Sequence, residues 1–218
     1  MGNAEYGAVF LDVADKTQDI EAELMAKNQV TIESLREEFT AFRDECIWHR
    51  ICYRNYTELY DSGEDTLKLL GEVAVQFFTD LNKVMIDYMW LLCARITDPA
   101  ITRDRPNLTV PHINASLDQL GLLSDEIRKI TDGLLAYRGL LKDGRNRLVA
   151  HLDLEAVMSG EAQGAHEEAE MEAFFQNVQA YVDEVGNAIG IGPLDISPSG
   201  AKGDALDLIR ILRGKATR

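Results

Sequence analysis

Apolar residues recur at spacings of three and four through most of this chain, the period of a helix that buries one face. The longest such run predicts a helix from Thr31 to Asp61, with Leu35, Phe39, Phe42, Cys46 and His49 or Arg50 along one side. Thr31 can cap its start, Ser34 with Glu37 offers a second capping-box spacing, and Asp61-Ser62-Gly63 supplies the stop. A second long helix is expected from Glu64 to Ile96, on Leu67, Leu70, Val73, Ala74, Phe77, Leu81, Val84, Met85, Tyr88 and Leu92. Phe78, Met89 and Leu91 widen that stripe beyond one face, the pattern of a helix that is central or also serves an oligomer interface. Two such helices joined by a tight turn form an antiparallel hairpin.

Asp98-Pro99 closes the hairpin, and Pro106 and Pro111 predict an irregular stretch to Ile113 that carries Arg103, Asp104 and Arg105. Asn114 or Ser116 then caps a short helix through Leu120. Ser124-Asp125 opens another, carried by Ile127, Ile130, Leu134, Leu135 and Leu140-Leu141, with a break near Lys142-Asp143-Gly144. Ser159-Gly160 and Gly164 make a joint. A helix from His166 to Ile189 follows on Met171, Phe174, Phe175, Val178, Tyr181, Val182 and Val185. Before all of this, Met1–Val13 has no clear period and Asp15–Lys27 is weakly amphipathic. After it, residues 190–203 read as an exposed linker and Asp204–Leu212 as a short helix that docks on the bundle or on a second chain. No two-residue alternation is sustained, so no sheet is expected. The fold class is all-α: a bundle of four to five main helices over 31–189, with an N-terminal arm and short helix at 1–30 and a linker and short helix at 190–218.

Composition narrows the function. With 22 Lys and Arg against 37 acids, the net charge of −15 excludes a surface that binds nucleic acid throughout, but not a small basic pocket. The apolar stretch from Val73 to Ala94 contains Asp80, Lys83 and Asp87 and reads as a core helix, not a membrane span. No secretory signal is visible, and Cys46, Cys52 and Cys93 sit inside helical patterns, so a reducing cytoplasm is expected. Cys46, His49 and Cys52 share a helix face, but zinc needs three or four converging ligands and no second pair completes them. A core face is the expectation, and no metal or cofactor is. Phosphate-binding glycine loops, a nucleophile elbow and aromatic residues interleaved with basic ones are all missing.

One cluster remains. Lys142-Asp143-Gly144-Arg145-Asn146-Arg147-Leu148-Val149-Ala150-His151-Leu152-Asp153 gathers three cations, an amide and an imidazole where one apolar pattern gives way to the next. Arg147 and His151 are four apart and stack on a helix, with Arg145 and Asn146 near its start. Arginine binds phosphate oxygens bidentately, and histidine can move a proton near neutral pH. The residues alone leave two readings open: a phosphate pocket, or an exposed Arg and His that pair with Asp143 or Asp153.

Arg145-Asn146-Arg147-Leu148-Val149-Ala150-His151 resembles the Arg-x(4–6)-His signature of the HEPN superfamily, with the Asn that often follows the Arg. The wider motif is similar to the abortive-infection AbiU-type branch. So are Ile47-Trp48-His49-Arg50 and Tyr88-Met89-Trp90-Leu91-Leu92-Cys93-Ala94-Arg95-Ile96-Thr97-Asp98-Pro99, and the likeness covers roughly Phe39 to Val185. The resemblance implies a helical bundle that dimerises with its motif helices facing one cleft. It implies a metal-independent endoribonuclease in which the ribose 2′-hydroxyl attacks the adjacent phosphate. His151 would be the general acid/base, Arg145 would stabilise the pentacoordinate phosphate, Asn146 would orient groups, and Arg147 would add a phosphate contact. It also implies a partner, an antitoxin protein or a nucleotidyltransferase. Some HEPN toxins carry a Tyr two residues after the His as the target of such a partner, and Asp153 stands there in this chain. That departure and the acidic charge keep a second expectation alongside: a non-catalytic helical dimer that binds a protein partner or a nucleotide.

Overall fold

The computed structural model describes residues 30–144, 158, 168–197, 200 and 202–216, and these form six helices and one two-stranded ladder. Helix α1 (Ile32–Tyr60) starts in a capping box: Thr31 Oγ1 accepts from the Ser34 N–H and Ser34 Oγ from the Thr31 N–H, each at 3.1 Å. Its buried stripe, Leu35, Phe39, Phe42, Cys46 and His49, is the one its period predicts. Gly63, at φ 99°, turns the chain into α2 (Glu64–Thr97).

α2 departs from its pattern. The backbone kinks at Ala74 (φ −162°, ψ 70°). Thr66, Leu69 and Leu70 are buried before the kink, and Phe78, Met89, Leu92, Cys93 and Ile96 after it. At about 100° per residue these two sets lie roughly a third of a turn out of phase. Val73, Phe77 and Val84, expected in the core, are instead exposed, Phe77 at 61% and Val84 at 62%. A helix that is apolar on several sides does not choose its buried face; the neighbouring helices choose it.

The stretch after Asp98 is more ordered than its prolines suggest. β1 (Ile101–Thr102) pairs antiparallel with β2 (Arg105–Pro106), and Arg103 (φ 49°) and Asp104 (φ 62°) form the two-residue tip. Both tip residues have positive φ, the backbone of a type I′ hairpin turn, which sequence normally announces as Asn-Gly. Asn107 locks the base: its Nδ2 donates to Pro99 O and Thr102 Oγ1, both at 2.8 Å, and its N–H to Ala100 O. The expectation of no sheet is corrected by this short ladder. Helix α3 (Val110–Gln119) begins at Thr109, whose hydroxyl accepts from the His112 N–H, and not at Asn114 or Ser116. Pro111 sits in its first turn, where the missing N–H costs no hydrogen bond.

α4 (Asp125–Gly144) and α5 (Glu168–Ala188) complete the bundle, and the described part of α4 runs to Gly144. Tyr181, fully buried on α5, donates to Asn114 Oδ1 at 2.9 Å, and Asn114 Nδ2 donates to Thr131 Oγ1 at 2.8 Å. This chain of polar groups ties α5, α3 and α4 in register inside an apolar core, the satisfied kind of buried network.

Residues 190–197 are a strap and not an exposed linker. Ile196 is only 3% exposed and packs into the main core. Gln179 accepts from the Ile196 N–H and donates to Leu194 O, while Arg43 donates to Ile191 O at 3.3 Å. The strap starts with a clasp of two glycines, Gly186 and Gly192, whose backbones meet with no room for a side chain. A Cβ on Gly192 would lie 2.6 Å from the Gly186 Cα. The strap delivers α6 (Ala205–Ala216), which docks on the bundle. Ala205 and Ile209 join Leu59, Leu69, Leu70 and Phe78 in a second, smaller cluster beside the α1–α2 turn.

Candidate functional site

Arg145, Asn146, Arg147 and His151 lie outside the described residues, as do the expected N-terminal arm and the helix at 15–27. What is described is the frame on either side of the motif. Tyr137 on α4 packs at a tilt against Phe174 on α5 with centroids 4.7 Å apart, and its hydroxyl donates to Met171 Sδ at 3.2 Å. One turn earlier, Gly133 faces Asn177 so closely that a Cβ there would meet its Nδ2 at 2.7 Å. These pairings make α4 and α5 antiparallel neighbours. The chain therefore leaves α4 at Gly144 and enters α5 at Glu168 on the same end of the pair. Leu141, 3% exposed, anchors the last turn of α4 in the core. From outside, Arg138 Nη2 binds Asp98 Oδ1 at 3.1 Å and fixes α4 to the end of α2.

α1 lies against α5 on another side. Tyr53 stacks on Phe175 at 4.4 Å, and the Arg50 guanidinium lies 5.1 Å from the Phe175 ring centre and 3.8 Å from Glu172 Oε2. An Arg that is partly desolvated, over an aromatic face and beside a carboxylate, is held as a packing element. Arg50, Gln179, Asp183 and Ser197 edge an open hollow of about 380 Å³ between α1, α5 and the strap. A second hollow, of about 340 Å³, lies across the strap against Ile47, Asn55 and the start of α6.

The titratable groups of α1 behave as core. His49 is 2% exposed, and burial, with the Arg95 charge second, pushes its pKa down to about 3. Neither of its ring nitrogens has a hydrogen-bond partner among the described residues. The imidazole is therefore neutral at physiological pH and buried at a cost, where the pattern alone suggests a face with every group satisfied. Burial likewise raises the thiols: Cys46 well above its ordinary value, Cys52 to about 11 and Cys93 to about 12. Protonated thiols and a neutral, enclosed imidazole are packing groups. Among the described residues no cluster of three or more His, Cys, Asp or Glu could hold a metal ion. His112, the other described histidine, has Nε2 3.0 Å from Glu38 Oε2 on the surface of α1. No helix among the described residues is long and apolar enough to cross a membrane.

Arg103 at the tip and Arg105 at the start of β2 are visible in the sequence as loop residues only. Arg-Asp carries none of the usual hairpin chemistry, so nothing in the residues announces that the two cations stand on a hairpin.

No curated protein and no solved structure matches the chain. A family model does: the one described as HEPN_AbiU2, AbiU2, covers residues 32–208, from the first residue of α1 into α6. Both halves of the helical hairpin, the α4–α5 pair and the strap thus fall within one family pattern, and this protein belongs to the AbiU2 family of HEPN proteins.

Proposed function

We propose that this protein is a metal-independent endoribonuclease of HEPN type that acts in the cytoplasm, in phage defence or a toxin–antitoxin-like system. The reading is carried by one observation: Arg145, Asn146 and His151 stand at the HEPN signature spacing directly after α4, in a chain that belongs to the AbiU2 family. His151 takes the proton of the ribose 2′-hydroxyl as its oxygen attacks the adjacent phosphorus, and the imidazolium so formed gives a proton to the 5′-oxygen as the P–O5′ bond breaks. The products are a 2′,3′-cyclic phosphate and a 5′-hydroxyl. Arg145 places its planar cation against the phosphate oxygens, where negative charge builds up in the transition state. Asn146 orients the substrate, and Arg147 adds a phosphate contact. Pairing of two chains would bring two copies of these cations to one cleft and offset the acidic background within about one Debye length, roughly 8–10 Å. An antitoxin protein would hold the activity in check; Asp153 leaves a nucleotidyltransferase without its tyrosine target.

The test is cleavage of single-stranded RNA by the pure protein in EDTA, with the product ends identified. His151→Ala and Arg145→Ala should each lower the rate by about 100-fold or more, the range for a lost proton-transfer group or oxyanion donor. Their thermal unfolding should match the parent. Undiminished cleavage by His151→Ala would overturn the assignment. A second reading, a non-catalytic dimer that binds a protein partner or a nucleotide, draws on the net charge of −15 and on Asp153 at the tyrosine position. It predicts no cleavage by the parent and no effect of overexpression on growth.

A further inference from the structure

We propose that the Arg103–Arg105 hairpin tip is a docking point for the backbone of single-stranded RNA, two phosphates wide, beside the helix that leads to the Arg145–His151 site. The proposal rests on the ribonuclease reading and adds to it where the substrate strand is held.

Four observations support it. The first is pairing. Every other described arginine is engaged within the chain, from Arg36 on a backbone carbonyl, through Arg95 on Glu45 and Arg128 on Asp118, to Arg213 on the Thr66 hydroxyl. In so acidic a protein that is the expected fate of a guanidinium. Arg103 and Arg105 alone among the described arginines have no such partner, although Asp104 lies between them in sequence.

The second is backbone geometry. Residues 101–106 are all exposed, yet the tip is held in a conformation that non-glycine residues seldom adopt, with both φ values positive. The three hydrogen bonds from Asn107 fix the base of the hairpin, so the two cations are carried on a rigid stem. A fixed backbone removes the cost of ordering the loop when the two side chains bind successive phosphates.

The third is location. Asp98, at the foot of the hairpin, is bonded to Arg138 of α4. Arg138 and Gly144 are six positions apart on α4, which is about 9 Å of helix. The foot of the hairpin is thus tied to α4 less than two turns before Gly144. The fourth is space: behind the hairpin is an open hollow of about 500 Å³ edged by Arg95, Thr102, Asn107 and Leu108, and by the carboxylates Glu45 and Asp98, which are paired with Arg95 and Arg138. Such a hollow suits a base splayed out of a single strand, the form in which RNA exposes both its edges and its face. A protein partner with a carboxylate pair would use the tip but not the hollow, so RNA is the ligand favoured.

The experiment measures binding of a fluorescent single-stranded RNA oligonucleotide to the full chain carrying His151→Ala, across a salt series. Adding Arg103→Ala with Arg105→Ala should weaken binding about 10-fold near 0.1 M salt. It should also flatten the dependence of log K on log salt by about 1.4, since each phosphate contact on a single strand contributes about 0.7. The double lysine variant should keep most of the salt slope, Asp104→Asn should tighten binding, and Arg128→Ala should change neither quantity. Unaltered affinity and slope in the double alanine variant would overturn the docking point, as would a parent that binds no RNA or that uses the tip for an acidic protein alone. The two proposals fail separately. A parent that cleaves RNA with the same KM and kcat as its Arg103→Ala, Arg105→Ala variant loses only the docking point. A parent that binds RNA through the tip but never cleaves it loses only the ribonuclease.

Discussion

The two hydrophobic clusters of this bundle are built differently. The main one is closed by α1, the end of α2, α3, α4, α5 and Ile196 of the strap, and it contains a hydrogen-bonded chain, Tyr181–Asn114–Thr131, that fixes three helices in register. The small one holds Leu59, Leu69, Leu70, Phe78, Ala205 and Ile209, and among the described elements α6 alone covers it. A cluster closed from many sides fails as a unit, because each helix is held by several others. A cluster closed by one terminal helix can open while the rest persists. The proposed catalytic segment is framed by α4 and α5 in the first region, the one less prone to open.

Substitutions can break that contrast or sharpen it. The largest effect is expected from Phe174→Ala, which removes a fully buried ring that touches both Tyr137 and Phe175. It should cost about 3–5 kcal/mol in global unfolding followed by denaturant. Ile209→Ala in the small cluster should cost about 2 kcal/mol. Its loss of amide protection should be confined to α6 and the α1–α2 turn; a loss that spreads to α5 would show that the two clusters are one cooperative unit. Next in size is the acid response. His49 has a folded pKa near 3 against an ordinary 6.5, so above pH 6.5 it adds no pH dependence. As pH falls, the unfolded chain binds a proton that the folded one refuses, and stability drops by about 1.4 kcal/mol by about pH 5.5. His49→Leu should abolish that loss and, with two unpaired nitrogens removed, raise the melting temperature at neutral pH. The smallest effect is expected at Gln179→Ala, which frees the Ile196 N–H and Leu194 O from their side-chain partner. About 1 kcal/mol is an upper-end value for such bonds at a solvated edge, so a melting shift of a few degrees should suffice to detect it.

Legibility follows burial. α1 and α5 show their buried faces in sequence because each is apolar on one side only: Leu35, Phe39, Phe42 and Cys46 on one, Phe174, Val178, Tyr181 and Val185 on the other. α2 does not, because its apolar residues surround it and the kink at Ala74 rotates the buried face between Leu70 and Phe78. Pro111 reads as a breaker because periodicity does not distinguish a helix interior from its first turn. The strap looks like solvent-exposed chain because its attachment is made by Gln179, Asp183 and Arg43, polar side chains of other elements that no local pattern reveals. The motif is legible as a spacing and as a resemblance; spacing specifies which groups share a face, and says nothing of what stands opposite them. His49 is the sharpest case: its position in the stripe is readable, its lack of described partners is not.

The clasp at Gly186 and Gly192 has a mechanical consequence. It stands where the strap leaves α5, between the helix of the main core and the segment that leads to α6. A load applied at the C-terminus would first peel α6 from the hairpin turn, then strip the strap back to the clasp, and only then reach α5. Two separate force steps, the second at residues 186–192, are the signature that such a tether leaves in a pulling experiment.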